Sequence, residues 1–139
     1  MHEHGTALAD ALERAIPVWL ATAVTRHAAV DAATLARVGA EAASATVAEV
    51  RRLLELDIDD QTETPLTIVR RVAVPFATRV LRDAGVPPVR RDEFKARSFA
   101  DDVYDLTPAS WADIDESVQA PGIAWGAWKA MTYKARHTA

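Results

Sequence analysis

The stretch that leaves this chain the fewest ways to fold is DDVYDLTPASWADIDESVQAPGIAWGAW, residues 101–128. It carries Trp111, Trp125 and Trp128, three of the four tryptophans, together with Tyr104, and no Lys or Arg falls between Ser98 and Trp128. Each indole driven out of water removes about 150–250 Å² of surface, worth roughly 4–6 kcal/mol gross at about 25 cal/mol per Å². Net domain stabilities are typically about 5–15 kcal/mol, so a single such anchor weighs heavily. The segment is therefore expected to fold back and cap helices built by the first hundred residues.

At 139 residues the chain fits a single domain, long enough to bury roughly two-thirds of its unfolded surface. Alanine supplies 29 of those residues, so large apolar side chains are scarcer than the hydrophobic fraction suggests. A net charge of −4 favours solubility and gives no general attraction to nucleic acid or anionic lipid. The absence of cysteine excludes disulfides, thiolate nucleophiles and zinc–thiolate sites. Ile16 to Val24 is apolar, but Glu3, Asp10 and Glu13 precede it where an export signal is positive. The run is also about half of what a membrane-spanning helix requires. A cytoplasmic location without membrane attachment is expected.

Along the chain, period-two alternation is nowhere sustained, and the spacings are helical. Residues 1–5 are expected to be disordered. Leu8, Leu12, Ile16, Trp19, Ala23 and His27 share one face of a helix over 7–27, capped by Thr6 and kinked at Pro17. Asp31 caps a second helix, which Gly39 weakens; Thr46 with Glu49 reads as a capping box that restarts it. Residues 32–57 are thus two helices, or one if alanine bridges the gap. DIDDQTET, 57–64, is a polar break. Thr64-Pro65 opens a helix that Gly85 ends, with Leu66, Val69, Val72, Phe76, Val80 and Leu81 inward and a kink or split at Pro75. Residues 91–99 are expected to add a turn or two. Thr107-Pro108 starts a short helix carrying Trp111, and Pro121 starts the last one. Gly122 and Gly126 leave room for another helix backbone, more often an intramolecular neighbour than a second copy. The fold class is all-α: one irregular domain of five to seven kinked helices, with the Trp-rich C-terminal segment packed over them.

Two aspartate strings resemble catalytic ones. Asp57, Asp59 and Asp60 form DxDD, and Asp101, Asp102 and Asp105 form DDxxD. Terpene cyclases and prenyl-transferring enzymes use such carboxylates as an acid or as magnesium ligands. They also need a large apolar cavity and further ligands on another helix, for which this chain is too short. Capping of backbone amides is the plainer role. DIDDQTET lacks the central Gly and final Glu of an EF-hand. No nucleophile elbow, zincin motif, P-loop or dinucleotide fingerprint is present, so no catalytic residue, metal ligand or cofactor is assigned.

Charge is unevenly laid out. Residues 70–97 hold eight cations against three acids, while 98–120 hold six acids and no cation. Either the acidic segment folds onto the basic face, or the arginines grip an anionic partner in bidentate fashion. Nucleic acid is the weaker candidate, because the whole chain is acidic.

The strings DDVYDLTPASWADID and APGIAWGAWKA, with RRLLELDIDDQTETPLTIVRR and AGVPPVRRDEF before them, resemble a pattern found in small proteins of actinobacteria. The similarity spans about residues 50–132 and implies a cytosolic actinobacterial protein. That family carries no established activity, so the resemblance implies no catalytic residue.

The function expected is therefore a non-enzymatic protein-interaction or regulatory module, monomeric or homodimeric, with a protein partner. Its contact surface is expected at Arg70, Arg71, Arg90 and Arg91, beside Asp101, Asp102, Tyr104, Asp105 and Trp111. The alternative is a small anionic-ligand site or enzymatic site between residues 90–128 and the helices. A helix-turn-helix reader of DNA in residues 32–57 is a third and weaker possibility.

Overall fold

In the computed structural model, which describes residues 3–89 and 102–138, the chain is all-helical. Four α-helices are present among the described residues: α1 (Glu3–Thr25), α2 (Ala32–Glu55), α3 (Pro65–Asp83) and α4 (Glu116–His137). Short 3₁₀ turns occupy Ile58–Asp60 and Trp111–Asp113. The expectation of five to seven helices is not met within these residues; the turn expected at 91–99 lies outside them.

Helix α1 is the centre of the assembly and packs against α2, α3 and α4. Its expected face is buried at Leu8, Leu12, Ile16, Trp19 and Ala23, while His27 sits half-buried in the turn beyond its end. Disorder was expected through residue 5, with Thr6 as the cap, but the helix already runs from Glu3. Gly5 explains why: it is buried, and a Cβ there would lie 3.1 Å from the Leu54 methyls. The start of α1 is docked on the end of α2.

Pro17 and Gly39, each expected to disturb its own helix, meet one another. A Cβ on Gly39 would lie 3.1 Å from the Pro17 Cα, so the two helices cross at backbone distance. Helix α2 then continues unbroken to Glu55, so this stretch is one helix rather than two and stops two residues short of 57. Asp31 caps it as expected, its carboxylate accepting from the Thr34 N–H at 2.9 Å. Thr46 is no cap; it is fully buried mid-helix, and its hydroxyl has no hydrogen-bond partner among the described residues.

Helix α3 begins at Pro65, with Thr64 and Thr67 exchanging backbone and side-chain bonds. It ends before Gly85, which adopts φ 75°, a conformation that glycine takes without steric cost. Pro75 lies within it without ending it. Its inward face is rotated from the expected one. Ile68, Val69, Ala73, Val74, Ala77, Val80 and Leu81 are buried, while Leu66, Val72 and Phe76 pack from the side.

Helix α4 starts at Glu116, capped by Asp115, rather than at Pro121. Trp111 falls in a 3₁₀ turn introduced by Ser110, and Thr107-Pro108 does not open a helix. Trp125 is buried in the common core, and Trp111 and Trp128 are half-buried against it. Gly122 lies under the Trp111 indole, where a Cβ would come within 2.6 Å of the ring, whereas a Cβ at Gly126 would meet nothing within 4 Å. No described helix is long and apolar enough to cross a membrane.

Candidate functional site

Residues 102–115 run between α1 and α3, and backbone bonds hold them there. The Asp102 carboxylate is buried and accepts from the N–H groups of Leu106 and Thr107 at 2.8 and 2.7 Å. That turn places Asp105 at φ 54°, left-handed backbone that a non-glycine residue adopts at a cost. Tyr104 is buried below it, donating its hydroxyl to the Val86 carbonyl at 2.7 Å, with its ring 6.0 Å from that of His27. The Val89 N–H donates to the Val103 carbonyl at 2.9 Å.

Arg70 fastens the segment to α3 from the other side. Its Nε and Nη2 donate to the carbonyls of Pro108 and Ala109, each at 2.9 Å. Arg71 points elsewhere, forming a two-point contact with Glu63 at 3.1 Å and approaching Glu49 at 3.6 Å. The hydrogen bonds it donates to Glu63, with the charges of Glu63 and Glu49, raise its pKa above the ordinary guanidinium value.

The residues expected to form a contact face are thus put to different uses. Arg70, Asp102 and Tyr104 build the joint between segment and helices, Trp111 seats on Gly122, and Arg71 is held by acids. Asp105 alone of the described set is exposed with its backbone strained. Arg90, Arg91 and Asp101 lie outside the described residues.

A cavity remains on each side of the segment. Toward α3 lies an open groove of about 820 Å³, floored by Val74, Pro75 and Thr78 and walled by Val103 and Thr107. Arg79 and Arg82 line it as well, with Asp83 beside them and Glu63 and Asp102 also in its lining. Neither arginine forms an ion pair among the described residues; the Arg79 guanidinium rests 5.5 Å from the centre of the Phe76 ring. Both arginines belong to the basic stretch 70–97, but the contact surface expected from the sequence did not include them. The signal was present: Arg71, Pro75, Thr78 and Arg82 recur at helical spacing, so the groove face could have been drawn from residue numbers alone.

Toward α1 lies a cavity of about 630 Å³, bounded by Arg26, His27, Asp105, Asp113 and Glu116. Much of its acid is committed. Asp113 accepts from the N–H groups of Ala109 and Ser110 at 2.9 and 3.1 Å. Asp115 accepts from the Ser117 N–H at 2.8 Å, which holds its carboxyl below the usual carboxylate range.

The DxDD string clamps the end of α4. Asp57 accepts from the Asp59 N–H at 3.0 Å and pairs with Arg136 at 2.6 Å, while Asp59 lies 2.7 Å from His137. Of the DDxxD string, Asp102 caps a turn and Asp105 faces solvent. Among the described residues no group of three His, Asp or Glu side chains is close enough to hold a metal ion.

Comparison with known proteins finds no family model, no curated protein and no solved structure that matches the chain.

Proposed function

We propose that this protein is a non-enzymatic interaction module that takes an acidic segment of a partner protein into the groove along α3. One observation carries the reading. Arg79 and Arg82 stand without an ion pair among the described residues beside an apolar floor of Val74 and Pro75, in a groove of about 820 Å³. An Arg is favoured over a Lys at such a place because its planar fork meets a carboxylate at two points. The apolar floor gives a peptide something to bury, which a purely electrostatic patch would not. In this reading the Trp-bearing segment 102–128 is the cap that holds the groove's far wall, and the module works in the cytosol, as its actinobacterial resemblance suggests.

The test is binding to an array of acidic and neutral peptides, with the Arg79→Glu/Arg82→Glu variant alongside. The expected result is selection of acidic peptides, weakened in about 0.5 M salt, where screening lengths fall well below 10 Å, and lost in the double variant. A protein that binds no acidic peptide at low salt, or whose variant binds them equally, overturns the reading. Binding of inorganic phosphate at the same arginines, with peptides ignored, would favour the alternative of a small anionic ligand.

A further inference from the structure

Helix α4 is apolar on two sides. One side carries Val118, Gly122 and Trp125 into the molecule. The opposite side is exposed, and it is not the polar surface that an amphipathic helix normally shows to water. Ile123 is 59% exposed and Met131 is 72% exposed, the largest exposures among the big apolar side chains described. Ala120 and Ala127 share their stripe and are exposed as well.

The two ends of this stripe are charged and opposite. Glu116, in the first turn, and Lys134, in the last, lie about five whole turns apart at about 3.6 residues per turn, and so point the same way. Both are exposed, and neither forms an ion pair among the described residues. Arg136 and His137, by contrast, are turned to Asp57 and Asp59.

We infer that α4 pairs antiparallel with α4 of a second copy of this chain, about a twofold axis level with Trp125 and Gly126. An isologous contact requires a surface that complements itself when reversed, and this one does. Reversal brings Glu116 of one copy to Lys134 of the other at both ends. It sets the bulk of Ile123 against the small Ala127, and Met131 against Ala120, so large meets small along the seam. At the crossing the stripe presents only the small Ala127 between Ile123 and Met131, which lets the two backbones approach closely. The antiparallel arrangement also opposes the two helix dipoles favourably. Contact through one helix per copy falls at the small end of specific interfaces, so the dimer exchanges with monomer and dissociates on dilution. This face is separate from the α3 groove, and the inference stands or falls without it.

The test is sedimentation velocity on the full chain over about 1 μM to about 1 mM, a range that brackets weak association. Wild type is expected to pass from monomer to dimer. Met131→Glu is expected to stay monomeric, and Glu116→Lys and Lys134→Glu each to raise the dissociation constant by up to about 10-fold, as exposed pairs of charges do. Mixing the last two variants supplies a Lys–Glu pair at both ends and is expected to restore the dimer. All of these positions are exposed, so helicity by circular dichroism is expected to stay at the wild-type level. A monomer at every concentration, a dimer indifferent to Met131→Glu, or charge variants whose mixture associates no better than either alone would overturn the inference.

Discussion

Gly122 and Gly126 have the same side chain, one turn apart on one helix, and opposite surroundings. At Gly122 a Cβ would come within 2.6 Å of three atoms of the Trp111 indole; at Gly126 it would meet nothing within 4 Å. Gly122→Val must therefore push Trp111 from its seat, and is expected to cost about 1–3 kcal/mol, the usual range for overpacking. Gly126→Ala meets no obstacle and replaces a poor helix former by the best one, so a gain of up to about 1 kcal/mol is expected. Urea unfolding at concentrations where the chain is monomeric gives both values. Equal signs for the two substitutions would contradict the packing described. A count of small residues treats the pair alike; only the position of Trp111, eleven residues upstream, separates them.

The helices show which local signals survive folding. Asp31 and the Thr64-Pro65 pair were legible because a cap is decided within about four residues, and the structure uses both. Pro17 read as a kink, Gly39 as a weak point, Pro75 as a kink or split and Pro121 as a helix start, yet helices run through all four. A cost of about 3 kcal/mol for an interior proline is offset when the helix buries a whole face, and Pro17 makes the contact that Gly39 receives. Three caps make a further point about pH. Bonds from the backbone N–H groups of Thr34, Asp59 and Ser117 hold the carboxyls of Asp31, Asp57 and Asp115 below the usual carboxylate range, with Arg136 adding to the effect at Asp57. A carboxyl with a lowered pKa in the folded state stabilises fully above its unfolded value of about 3.9 and loses that contribution as pH falls through the folded one. Stability is therefore expected to be level from neutral pH down to about 5 and to decline below about 4. Asn caps helices nearly as well as Asp, so the Asp31→Asn/Asp57→Asn/Asp115→Asn variant is expected to fold and to show a shallower decline. An unchanged acid limb in urea titrations would remove these caps from the account.

Across the molecule, the candidate site was less legible than the helices, because its bonds join distant residues through the backbone. Nothing in the sequence marks Arg70 as a partner of the Pro108 and Ala109 carbonyls. Charge counting left the arginines of α3 either to the acids of the capping segment or to an anionic partner; in the structure Arg70 reaches carbonyls, Asp102 reaches amides, and Arg79 and Arg82 line the groove. What makes these parts one unit is α4 lying on α1. It is held near its start by Val118, in its middle by Trp125, and at its end by Arg136 and His137 on Asp57 and Asp59. Of these, Trp125 carries the most apolar surface and is only 4% exposed, with the Lys129 ammonium 5.2 Å from the centre of its ring. Trp125→Ala is expected to cost about 3–5 kcal/mol, a large share of a typical total of about 5–15 kcal/mol. The half-buried Trp128 leaves a smaller and more open void, so Trp128→Ala is expected to cost clearly less. If α4 belongs to the same cooperative unit as α1, near- and far-ultraviolet circular dichroism will melt together in Trp125→Ala, at a temperature lowered by roughly 10 °C or more. If Trp125→Ala melts no lower than Trp128→Ala, or releases α4 while the rest stays folded, the two helices are separate units and the groove's far wall has lost its support.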